Sequence, residues 1–219
     1  MANSGSQGGR NPRSRPKLAG DGADLARPAR PALQDFAFLL EILPDAAAIG
    51  AEKSRLCAEA GFEGVFPLDA SLDLAGLAKP EQARLISLSN EALMRGSDLL
   101  IANLTPFRGV SMDAGTAFEV GFMRALGRPV LGYTNVVGDY RRRAEAYRKA
   151  GVPTPDADAP DIAIEDFDLA ENLMIEVAIL ASGGAVIRRG VPPGREMRDL
   201  AGFEACLIQA QRILRHTAS

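Results

Sequence analysis

The chain has 219 residues, 47% of them hydrophobic, enough for one α/β domain with a tail. A net charge of −3 with a pI near 5.3 supplies no concentrated basic field, which argues against a nucleic-acid-binding surface. No stretch nears the roughly 20 apolar residues of a membrane span, and the only histidine, His216, leaves nothing for a histidine-based triad or a His-ligated zinc.

Residues 1–35 are rich in Gly, Pro, Ser and Arg, too poor in apolar surface to offset their ordering entropy, and are expected to be a disordered tail. The folded domain is expected over 36–219. Phe36–Leu43 reads as a first strand, Ala46–Gly61 as an amphipathic helix and Gly64–Pro67 as a short strand. Glu81–Arg95 carries Leu85, Leu88 and Leu93 at helical spacing, and Asp98–Leu104 is the clearest buried strand. A helix over Ala114–Leu126, a strand over Pro129–Tyr133 and a charged helix over Arg141–Ala150 follow. After a Pro- and Asp-rich loop come a helix at Leu169–Ala181, a strand at Ala185–Ile187 and a closing helix at Arg198–Leu214. Strands alternating with helices predict an α/β, doubly wound, flavodoxin-like (Rossmann-like) parallel sheet of about five strands, helices on both faces and ligands beyond the strands' carboxyl ends. Cys57 and Cys206, with no CxxC, read as reduced thiols, and the missing apolar signal core predicts a cytoplasmic protein.

The stretch leaving the central strand concentrates the chemistry: Asn103-Leu-Thr-Pro-Phe-Arg108-Gly-Val-Ser-Met-Asp113-Ala-Gly115-Thr-Ala-Phe-Glu119-Val-Gly121. Asp113 stands at an N-cap position, where amides and the helix dipole stabilise its ionised form. Glu119 falls further into a helix that is apolar on nearly every side, from Ala117 and Phe118 to Leu126, and so is expected to be buried. A buried carboxylate needs a partner or a task. One such task is nucleophilic attack at a sugar carbon. Gly115 and Gly121 let a ligand or another backbone approach. Asp98, at the amino end of its strand, reads as structural.

This constellation resembles the signature of the nucleoside 2-deoxyribosyltransferase family, in the branch with the PFRG loop and a DxGTAFExG motif. The resemblance runs from about Ala46 to Leu180. It implies Glu119 as the nucleophile that takes 2-deoxyribose from one nucleobase and passes it to another, with no cofactor and no metal. By the same resemblance Asp113 and Asn172 hold sugar hydroxyls and Asn90 approaches the ligand. Asn172-Leu173-Met174 matches a segment that reaches a neighbouring subunit's site, which implies a homo-oligomer. Gly115 belongs to the same substrate-binding motif, and Arg108 is expected to shape or cover the pocket. The partners implied are a deoxynucleoside and a free base.

Phe36–Asp45 departs from the family's first strand, which usually ends Leu-Ala-Gly-Pro and lines the base pocket; Leu18-Ala19-Gly20 occurs far upstream instead. Glu41 and Leu43 would then project where a base should stack. Two alternatives stay open: an N-glycosidase acting on a nucleoside or its 5′-monophosphate, and a non-catalytic nucleotide sensor with this fold.

Overall fold

The computed structural model describes residues 32–36, 43–66, 72–151 and 162–217. Five strands, β1 (Ala32–Phe36), β2 (Glu63–Val65), β3 (Leu99–Asn103), β4 (Val130–Thr134) and β5 (Val186–Arg188), pair in parallel in the order β2-β1-β3-β4-β5. This is the expected flavodoxin-like order of a doubly wound sheet. The helices among the described residues are α1 (Ala46–Glu59), α2 (Lys79–Gly96), α3 (Ala114–Ala125), α4 (Tyr140–Lys149), α5 (Leu173–Ala181) and α6 (Ala201–Thr217).

A parallel sheet must be covered on both faces, and its central strands are accordingly buried at every position. Strand alternation sends Leu99 and Ile101 to one face, against Cys57, Tyr133, Phe203 and Cys206. Leu100 and Ala102 point the other way, against Met94, Val120, Met123 and Ile179. Thus α1 and α6 cover one face, and α2, α3 and α5 the other. Cys57 and Cys206 are both buried, the Cys206 Sγ lying 3.5 Å from Gly132 O. No helix among the described residues is long and apolar enough to cross a membrane.

Three expectations shift. The first strand is Ala32–Phe36, starting before the apolar run expected to form it and before the boundary placed at 36, because its register is set by pairing (Leu33 with Leu99, Asp35 with Ile101) rather than by apolar content. Residues 1–31, Glu41 and the loop at 152–161 lie outside the described residues, while Leu43 packs against Ile49. Next, α5 begins at Leu173 and not at Leu169: the Asn172 side chain accepts a hydrogen bond from the Met174 amide (2.9 Å) and starts the helix there. Finally, α3 is not buried all round. It buries Thr116, Glu119, Val120 and Met123, while Phe118 on its outer side is 56% exposed.

The far end of α5 is closed by a Schellman turn. Gly183 takes φ +83°, its amide bonds Leu180 O (3.1 Å), and the Gly184 amide reaches Ile179 O (3.2 Å). Gly184 lies so close to β4 that a Cβ would stand 1.6 Å from Val130 O, a backbone atom that cannot step aside. Gly184→Ala is therefore expected to lower the unfolding free energy by about 3 kcal/mol or more. Gly121→Ala, where a Cβ meets nothing within 4 Å, should instead stabilise α3 by about 0.5–1 kcal/mol. Urea melts of both variants check this; similar midpoints would contradict the packing described for β4.

Candidate active site

Where β3 ends, side chains lock the chain's exit. Asn103 Oδ1 accepts from the Thr105 amide (3.0 Å), and Thr105 Oγ1 accepts from the Asn135 amide (3.1 Å), tying the ends of β3 and β4 together. The loop then turns at Arg108, which takes φ 53° and lays its guanidinium 4.7 Å from the Phe107 ring centroid. It closes with a bond from the Phe107 amide to Ser111 O (2.9 Å). Asp113 accepts from the Gly115 amide (2.8 Å) and caps α3 as the sequence predicts.

Side chains on a helix lean toward its N-terminus, so Glu119 extends over the turn carrying Gly115 and Thr116. A hollow of about 420 Å³ opens there between α2 and α3, within the size range of small-ligand sites. From α2 it is lined by Ile86, Asn90 and Met94, and from α3 and its cap by Asp113, Gly115, Phe118 and Glu119. Glu119 is only 4% exposed. Four residues singled out from sequence thus meet at one cavity on the carboxyl side of the sheet: Asn90, Asp113, Gly115 and Glu119.

The other three do not line it. Arg108 is exposed and stacks on its neighbour. Asn172 caps α5, and its Nδ2 donates to Glu165 Oε1 (2.7 Å), while Met174 is 70% exposed on the protein surface. Asp98 sits at the start of β3 with Arg128 3.5 Å away, a structural pairing as its strand position suggested. A second hollow, about 460 Å³ and lined by Tyr140, Tyr147, Ile164 and Glu165 among others, holds none of the cavity residues named above.

Sequence reasoning missed a buried pair behind the loop. Arg143 of α4 bonds Glu171 Oε1 (3.0 Å), and Glu171 Oε2 accepts from Ser111 Oγ (2.6 Å). Burial holds the Glu171 carboxyl above the ordinary carboxylate range, opposed by its bonds from Ser111, Arg143 and the amides of Asn172 and Met112. In sequence Arg143 is one of three consecutive arginines. The usable signal was its place on one helix face with Tyr140, Ala144 and Tyr147.

The family model described as Nucleoside 2-deoxyribosyltransferase matches residues 36–174, which contain the whole cavity. The chain belongs to the nucleoside 2-deoxyribosyltransferase family. An uncharacterised protein of Schizosaccharomyces pombe is 31% identical over 157 residues, covering 65% of this chain and 74% of that protein. Among solved structures, a 2-deoxyribosyltransferase from Leishmania mexicana is 24% identical, covering 66% of this chain and 85% of its own, with a TM-score of 0.49. A conserved protein of Enterococcus faecalis V583 is 20% identical, covering 83% of this chain and 99% of its own, also at 0.49. The CMP N-glycosidase of Clostridium botulinum is 19% identical, covering 47% of this chain and 70% of its own, at 0.31.

Because the Glu171 carboxyl titrates above its unfolded value, the folded chain holds that proton more tightly. The group's contribution to stability is then largest below the ordinary carboxylate pKa and falls as pH rises through the raised value. The stability of the native chain minus that of Glu171→Gln should decline with rising pH across this window, measured by urea melts at several pH values. A difference that grows with pH would contradict the assignment.

Proposed function

We propose that the chain is a nucleoside 2-deoxyribosyltransferase in which Glu119 is the nucleophile. The observation that carries this reading is the convergence of Asn90, Asp113, Gly115 and Glu119 on one hollow at the carboxyl end of β3. A Glu119 oxygen attacks C1′ of a deoxynucleoside. The C1′–O bond forms as the C1′–N bond breaks, and the bonding pair leaves with the base, which takes up a proton. A nitrogen of the incoming base then attacks C1′ and expels the carboxylate, losing a proton, so two inversions give net retention. The missing 2′-hydroxyl makes the oxocarbenium-like transition state easier to reach. The Asp113 carboxylate, at the start of α3 and on the wall of the hollow, accepts hydrogen bonds from sugar hydroxyls. The same charge opposes a 5′-phosphate beside it, which favours nucleosides over nucleotides.

Asn172 and Met174 enter through a second copy of the chain. Phe118, on the rim of the hollow, is exposed together with Leu88 on α2 and Met174, Val177 and Leu180 on α5, all on the side of the sheet covered by α2, α3 and α5. An apolar area of this kind is what self-association buries. A partner seated there would bring its own Met174 and Asn172 toward the rim.

Incubation with deoxyinosine and adenine, followed by chromatography, separates the outcomes. New deoxyadenosine is expected; free base alone would replace transfer by hydrolysis, and binding without turnover would replace it by sensing. Glu119→Ala should lose at least about a thousandfold in kcat with an unchanged melting curve. Retained turnover would eliminate this nucleophile. Asp113→Asn keeps a good helix cap but lacks the negative charge, so it should fold normally and lose activity.

A further inference from the structure

The Arg143–Glu171 pair lies outside the hollow, yet it touches both segments that carry the sugar-binding groups. Arg143 Nε donates to Val110 O (2.8 Å), Nη1 to Gly138 O (2.7 Å), and Nη2 to Ala170 O (2.6 Å) and Glu171 Oε1 (3.0 Å). Glu171 Oε2 accepts from Ser111 Oγ (2.6 Å) and from the Asn172 amide (3.1 Å). Its carboxylate also receives the Met112 amide. The pair's contacts therefore run along residues 110–112, which lead directly into Asp113, and along 170–172, which end at Asn172. The Arg143 side chain is 11% exposed and that of Glu171 0%.

Stability alone explains such an arrangement poorly. Removing two charges from water costs much of what their attraction returns, and apolar replacements of buried pairs are often neutral or better. What the pair supplies is geometry. A planar guanidinium directs several donors along fixed lines, here into two loops and the start of α4, which a single ammonium cannot do. We infer that Arg143 and Glu171 are positioning residues that fix the Asp113 loop at the chain's own hollow and the Asn172 cap at the surface offered to the second copy, and through both the affinity for the deoxynucleoside. This rests on the reading of Asp113 and Asn172 as sugar-binding groups. Glu119 is held separately, by α3 packing through Val120 and Met123.

The test is the double variant Arg143→Met/Glu171→Gln, which leaves no buried charge unpartnered and keeps an acceptor for Ser111. Turnover of deoxyinosine with adenine and calorimetric binding of deoxyinosine are measured on the full chain. The expected result is a folded protein whose KM and Kd rise about tenfold while kcat stays within about twofold, the signature of lost uniform binding. A purely structural role would lower the melting temperature and the fraction of active protein without moving KM. Arg143→Lys, which keeps the charge, should not restore affinity; restoration would mean that charge and not geometry is what counts. A folded double variant with native KM and Kd overturns this inference alone. A native chain that neither binds nor turns over deoxyinosine overturns it together with the functional reading.

Discussion

Carboxylates buried at the carboxyl end of the sheet govern how this part of the chain is arranged. Glu119, Glu171 and Glu176 are all less than 10% exposed, and water gives up such groups only where other dipoles or charges replace it. Glu171 is surrounded by a guanidinium, a hydroxyl and backbone amides. Glu176 accepts from the Ala170 amide and lies 3.1 Å from Arg188. Both serve to hold loops. Glu119 borders the hollow between α2 and α3, and that difference in surroundings is why it is the acid proposed to react.

The same constraint connects the loops to the helices. Asp113 stabilises the first turn of α3, and Asn172 stabilises that of α5. In each case a polar group proposed to meet the substrate also satisfies an amide that the helix would otherwise leave unbonded. The proposed chemistry thus sits on capped helix starts, with a sheet end behind them that Thr105 and Asn135 brace.

Much of this was legible in the sequence, and the limits have physical causes. The flavodoxin-like class followed from the alternation of strands and helices, and β3 and the capped start of α3 from a continuous apolar run and from Asp113 in front of a helical pattern, signals that are local. The placing of Asn90 beside Glu119 rested on the family resemblance, since residues on different helices share no periodicity. The first strand was set too late because pairing across the sheet, invisible in a linear pattern, outweighed the more apolar segment. The outer side of α3 was expected to be covered; Phe118 shows that an apolar pattern reports the need for cover, not which molecule supplies it. Arg143 could not be told from Arg141 and Arg142 by type, because only the tertiary arrangement turns one of them inward.

α5 joins two of these features into one mechanical element. Its nine residues span about 13 Å. One end is wedged against β4 where Gly184 leaves no clearance, and the other is fastened through Ala170 and Glu171. A short helix clamped at both tips acts as a strut. A shift forced at its glycine end would be passed to Met174 and Asn172 at the opposite end, so the residues proposed to face a second copy are mechanically linked to a backbone contact inside the sheet.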